Sequence, residues 1–537
     1  MNPPHNSFND VGQYLLNKYQ QYTRLNRHTN RETLEVFQVF GFIARIYEKI
    51  RASVENKGEQ VIRRFAIERA LKRPDSINQK NEVRAERLIR ELTWSRFLPN
   101  NYVTREQFAQ LVNVITKYDK LNKAVKHNGY ITSKTQDWIF SLASAEIEEL
   151  LVPSVTRKCL VPTFTFWAKK TFKFQSDPQI PPEELDLQIY LAAHRAIAKS
   201  DLPIIQYDIL LLMFPQWNQA TDELIQHIAD NFNQINSHIH KLSLHPQRNK
   251  IYRWVRQNTA LFLFLETLII QEPNPQAILK DRETFKSHIS SIAQTKYQDT
   301  RRSINRGIWQ SIIYIFLTKV LVALAIEFPY ERYVTKEING VAIAINLIFP
   351  PLLMLLMGLT VKAPDEKNTQ IIVAKLDHLL YSQEPAPPTI VQFDFSGQRQ
   401  RWALIFNTIY AYFFVIICLL IAYSLRRFLQ FNIVSTGLFF MFLSMIMLFG
   451  FRLRWQSEEL LIVRPPQGFI ANLFSILTMP FINLGVWLSS TISKVNVITF
   501  LLDKIIDAPL KSGINSAEEW SKFISDQRIE AVEIPRN

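Results

Sequence analysis

Two long apolar runs, residues 308–328 and 340–361, stand back to back around the short polar link PYERYVTKEIN. A helix rises about 1.5 Å per residue and a bilayer's hydrocarbon core is about 30 Å thick, so about 20 apolar residues are enough to cross it. Both runs meet that length, and the chain reads as a membrane protein. Residues 402–424 and 433–451 predict two more spans. Residues 468–488 are uncharged but interrupted by Pro480 and Gly485, and are expected either to cross or to form a re-entrant or interfacial pair.

The rest of the chain has a different character. Residues 1–307 carry 43 Lys and Arg against 31 acids, nearly all of the net charge of +14. This basic half reads as soluble and helical, with apolar positions at helical spacing in Leu34, Phe37, Phe40, Ile43, Tyr47 and Ile50. Thirteen glycines in 537 residues argue against glycine-rich nucleotide loops. Two cysteines far apart, Cys159 and Cys418, exclude a disulfide framework. The N-terminus lacks the charged-then-apolar pattern of a cleaved signal, so insertion is expected to rely on the internal spans.

Residues 61–71 and 81–94 predict amphipathic helices rich in arginine. Arg63, Arg64, Arg84, Arg87 and Arg90 form a candidate patch for an anionic partner, set against a solvated face laced with Glu68, Glu82, Glu86 and Glu91. No nucleic-acid motif or aromatic interleaving accompanies them, which argues against nucleic acid. Between residues 152 and 181, prolines and Thr/Phe alternation suggest extended structure and a boundary. Residues 260–270 are apolar but too short to span, and predict a buried helix. Residues 277–294 predict an amphipathic helix leading to the membrane. Between the second and third spans, residues 365–381 predict a helix and 389–395 a strand, with 459–464 as a conjectured strand partner. Residues 495–510 suit the membrane surface, and Ser516 with Glu519 forms a capping-box pattern opening a tail helix.

Flanking charges set the direction of insertion. Lys296, Arg301, Arg302 and Arg306 precede the first span; Lys362, Lys367 and Lys375 follow the second; Arg452 and Arg454 follow the fourth. These regions are expected to be cytoplasmic, although Arg426 and Arg427 fall on the other side.

The sharpest chemical feature is Lys319 in the middle of the first span, where a charge costs roughly 2.5–3.5 kcal/mol on insertion scales. Spacing by four aligns it with Glu327, but two helical turns, about 12 Å, separate them, too far for direct pairing without a bridge. With Asn346 they form a candidate intramembrane polar site; a lysine snorkelling to the headgroups is the plainer alternative. Pro350 and Pro351 remove two backbone donors and predict a kink, with Asn346 one turn back to satisfy a freed carbonyl. His238, His240 and His245 cluster in sequence, but alternate positions diverge on a helix, so no metal site is expected. No catalytic or cofactor motif is present.

Two stretches, NLIFPPLLMLLMGLTVKAPDEKNTQIIV and PFINLGVWLSSTISKVNVITFLLDKIIDAPLK, resemble uncharacterised multi-span membrane proteins of small-genome bacteria in the candidate phyla radiation. The resemblance covers about the last 200 residues. It implies a bacterial inner membrane and carries no known activity, catalytic residue or cofactor.

The expected architecture is thus all-α: helical cytosolic regions at 1–151 and 152–307, a membrane domain at 308–464 with four spans, and a fifth or interfacial element plus amphipathic tail helices at 465–537, with minor β pairing in cytosolic loops. The function this suggests is a non-enzymatic membrane-anchored scaffold whose basic domain binds a protein partner or anionic lipid. A small-solute transporter or channel using the first two spans is the alternative.

Overall fold

With so few glycines to break it, the chain is helical over 83% of its described residues. The computed structural model describes residues 8–25, 59–73, 79–130, 132–177, 180–336, 340–361, 364–383, 388–394, 398–462 and 469–494. The expected helix at 34–50, the surface segment at 495–510 and the Ser516 cap lie outside them. The chain divides into two units, one of residues 17–165 and 186–252, the other of residues 8–16, 166–185 and 253–494.

The first unit contains α1 (Glu59–Lys72), α2 (Asn81–Trp94), α3 (Arg105–His127), α4 (Ser133–Leu151), α5 (Leu202–Met213) and α6 (Asp222–Asp230). Helix α4 is the hub, because α1, α3 and α5 all pack on it. Its sequence allows this: Trp138, Ile139, Leu142, Ala143, Ala145 and Ile147 put apolar surface around most of the circumference, and all are buried. Helices α3 and α4 each start in a capping box, Thr104 with Gln107 and Thr132 with Thr135, which satisfies N–H groups the first turn cannot.

The segment expected to be extended from residue 152 onward is instead mostly helical. Residues Thr156–Leu160 form a wide π-type turn, followed by a helix at Val161–Thr171. Val161, Phe164 and Ala168 are all fully buried, and their spacing is that of a helix. Helical burial overrides the strand-like Thr/Phe alternation, and Pro162 follows directly on the wide turn. Only Phe172–Asp177 is extended, as β1.

In the second unit, β1 pairs in parallel with β2 (Thr389–Asp394), Phe172 opposite Thr389 through Asp177 opposite Asp394. The conjectured partner of β2, residues 459–464, is not the observed one; Glu459 and Leu460 lie in a turn. Aromatic packing selects β1: Phe174 stacks on Phe393 at 6.1 Å, and Trp254 meets Phe172 and Phe174 edge-on at 5.1 and 5.0 Å.

The same unit holds α7 (Ala260–Gln271), α8 (Arg282–Val322), α9 (Gly340–Leu359), α10 (Glu366–Tyr381), α11 (Gln398–Leu429), α12 (Ile433–Glu458) and α13 (Phe469–Lys494). Helix α7 is buried, as its short apolar run predicts. Helix α8 has two characters. Its first half buries Phe285, Ile289, Ile292 and Ala293 against α7 and α10, and Arg282 grips Asp377 of α10 with two hydrogen bonds of 2.6 and 2.7 Å. Its second half turns large apolar side chains outward, among them Trp309, Ile313, Leu317 and Leu321. In water such a surface is costly; in lipid it is the preferred one.

Among the described residues, three helices are long and apolar enough to cross a membrane: Arg282–Val334, Ile405–Leu429 and Ile433–Trp455. Ile343–Leu359 and Ser475–Ser489 are shorter apolar stretches. The last belongs to α13, one continuous helix through Pro480 rather than a re-entrant pair. Without a hydrophobic drive between helices in lipid, close approach depends on small residues, and Gly485 of α13 is such a point. A Cβ there would lie 2.5 Å from the backbone oxygen of Ser444 on α12. At Gly450 the obstacle is only the flexible tip of Met357. Gly485→Ala is therefore expected to destabilise the detergent-solubilised chain by about 1–3 kcal/mol, and Gly450→Ala by less, as read from thermal unfolding. Equal melting of the two variants would show that the α12/α13 contact is not this close.

Candidate functional site: a buried polar cluster among the apolar helices

Helix α8 gives way after Val322 to a π-type turn, Ala323–Glu327. A wider turn advances fewer degrees per residue, and it returns Glu327 to the face that carries Lys319. The result departs from the expectation of two groups too far apart to pair. Lys319 Nζ lies 3.5 Å from both carboxylate oxygens of Glu327, with Lys319 0% and Glu327 1% exposed. The long lysine side chain covers the remaining rise.

Asn346 of α9 completes the cluster. Its Nδ2 donates to Glu327 Oε1 and, at 3.5 Å, to the carbonyl of Ser435 on α12. It does not satisfy a carbonyl freed by the prolines, as the spacing suggested. Pro350 and Pro351 lie within α9, which remains one helix. The Phe442 ring of α12 caps the ammonium of Lys319 at 4.9 Å. One turn beyond Glu327, the equally buried Glu331 accepts from Asn432 Nδ2 at 3.2 Å, while Asn432 Oδ1 caps the start of α12 by accepting from Ser435 N. Three helices are thereby joined through one buried charge pair. Glu331, Asn432, Ser435 and Phe442 were not singled out by sequence; the Asn before an apolar run, a helix-start signal, was the available clue to Asn432. Two acceptors in the cluster, Glu327 Oε2 and Asn346 Oδ1, make no hydrogen bond.

The arginines proposed as an anion patch are mostly inside the first unit. Arg63 donates to Glu148 at 2.9 Å; Arg64 donates to Glu68, Ser144 and Asp201 at 2.6, 2.9 and 2.8 Å; Arg84 donates to Asp119 at 2.5 Å. All three are buried, so they offer nothing to an external anion. Arg87 is partly buried, and Arg90 pairs with Glu86 at 2.6 Å near the surface. The cause is the hub: α4 carries Glu146 and Glu148 among apolar residues, and a buried carboxylate requires a partner. Lys117 meets Glu146 at 2.5 Å, and Arg157 meets Glu148 at 2.8 Å.

Of the histidines that cluster in sequence, His238 is exposed, His240 half-buried and His245 buried, and no described group of acids, histidines and cysteines could hold a metal ion. His194, passed over in sequence, is buried more completely than His245. Its Nδ1 stands 3.1 Å from Asp208 Oδ2. Burial, helped by Arg157 and Lys158 nearby, pushes the His194 pKa down to about 3, while burial pushes Asp208 up to about 6. Cys159 is also buried, its thiol pushed up to about 12, which removes it as a nucleophile.

Compared with known protein families, curated proteins and solved structures, the chain matches none.

The His194/Asp208 pair has a pH signature. Asp208 titrates higher folded than unfolded, so the folded chain takes up its proton first and gains stability as pH falls from about 6 towards 4. His194 titrates lower folded, so stability is lost as pH falls below about 6.5. In the native chain the two slopes oppose each other. Melting temperatures from pH 7 to 4 are expected to show Asp208→Asn falling progressively relative to wild type and His194→Gln rising relative to it. Constant offsets for both would contradict the burial of this pair.

Proposed function

We propose that the chain is a multi-pass protein of a bacterial cytoplasmic membrane that acts as a non-enzymatic scaffold, anchoring a helical domain that meets a protein partner. The observation that carries this reading is the closure of the Lys319 cluster. A transport path needs its ionisable groups open to water at some stage, whereas Lys319, Glu327, Glu331 and Asn346 are all 0–2% exposed, the first two and Asn346 bound to one another and Glu331 to Asn432. Such a cluster holds helices in register. Arg63, Arg64 and Arg84 of the first unit are likewise engaged internally, which removes that arginine patch as an anionic-lipid contact and favours a protein as the partner.

In this reading α9 is a fourth crossing, since its 20 residues reach about 30 Å. Lys296, Arg301, Arg302 and Arg306 at the entry to the first span keep the N-terminal region in the cytoplasm. A transporter is the second reading, favoured by the two cluster acceptors that make no hydrogen bond. The readings separate in proteoliposomes. Vesicles containing the purified chain are expected to hold proton and potassium gradients as long as protein-free vesicles do. A leak that disappears in the Lys319→Met/Glu327→Met protein would establish transport instead.

A further inference from the structure

The second unit contains a cavity of about 1030 Å³, remote from the Lys319 cluster, whose walls come from five separated segments of the chain. Its size is at the upper end of small-molecule sites. The walls are chemically uneven. Trp167, Phe172, Leu261 and Ile462 supply an apolar and aromatic side. Among the same lining residues, α10 presents Lys375 and His378 one turn apart on one face, and Gln257 and Asn258 add amide groups.

The charge is one-sided. Among the described residues the only acid in the lining is Asp10, and it is engaged by Lys170, which lines the cavity too. Asp377, next to His378 in sequence, is bound to Arg282 and Lys286 instead. Lys375 is exposed and has no ion-pair partner among the described residues. An ammonium without a counter-ion among the described residues, a neighbouring imidazole and amide groups, lining one cavity with aromatic and apolar side chains, match a ligand with an anionic head and an apolar or aromatic body. A cation would meet Lys375 with no free carboxylate to receive it.

We propose that this cavity is a binding site for an amphipathic organic anion, a carboxylate, sulfonate or phosphate ester with a ring or alkyl body, with Lys375 as the principal contact to the head. The scaffold would then carry a small-molecule site in the same unit as its spans.

Calorimetric titration of the detergent-solubilised full chain with naphthalenesulfonate, naphthylmethanol and naphthylmethylammonium tests this. Saturable binding is expected for the sulfonate, weaker binding for the neutral alcohol and none for the ammonium. Lys375→Glu is expected to weaken sulfonate binding about tenfold or more, since a hydrogen bond to a charged group is lost and a repulsion gained. Ala374→Trp, on the exposed side of α10 at the cavity, should abolish saturable binding of both sulfonate and alcohol. Both substitutions are at exposed positions, and an unchanged melting temperature confirms that each variant is folded. No saturable sulfonate binding to the wild-type chain, equal binding by folded Lys375→Glu, or ammonium binding as tight as sulfonate binding would each overturn the proposal.

Discussion

A lysine in the middle of a long apolar helix has to be neutralised, and the arrangement of the apolar helices follows from how this chain does it. Lys319 is answered by Glu327 from the next turns of the same chain, Glu327 by Asn346 of a second helix, and Asn346 by a backbone carbonyl of a third. Each link is short-range and directional. Removing one member leaves the others buried and unsatisfied, a larger loss than the net stabilisation of the intact pair. The pair therefore specifies which helices meet, and in what register, more than it adds stability.

The same logic shapes the first unit. Its central helix is apolar enough to be surrounded, yet it carries Glu146 and Glu148, and the neighbouring helices and the turn at Thr156–Leu160 supply Lys117, Arg63 and Arg157 to meet them. In both units a buried carboxylate fixes the packing of several helices. This is why a strongly basic sequence shows so little free positive charge where it was first sought.

Much of the architecture was legible in the residues. The helix Asn81–Trp94 appears at its expected limits, and the apolar runs became long helices, because periodicity and length are local properties. What was not legible depended on distant partners. The strand at Thr389–Asp394 was visible from its own composition, but its pairing with Phe172–Asp177 is decided by Trp254 and by ring stacking across more than 200 residues of chain. The distance between Lys319 and Glu327 was overestimated because regular helix spacing was assumed where the backbone widens. The arginines looked like a surface because amphipathic spacing shows a polar face without showing that another helix covers it. His194 carried no signal of its own; its significance comes from the helices that enclose it.

The central claim is that Lys319 and Glu327 act as one structural unit, and a double-mutant cycle on the purified full chain in detergent measures this most directly. Lys319→Met and Glu327→Met are each predicted to cost about 3–5 kcal/mol in unfolding free energy, with the double variant recovering most of that loss, because apolar side chains of similar volume replace the pair without leaving a charge exposed to lipid. Losses in the two single variants that simply add in the double variant would contradict the account, since the two residues would then be buried side by side without depending on one another.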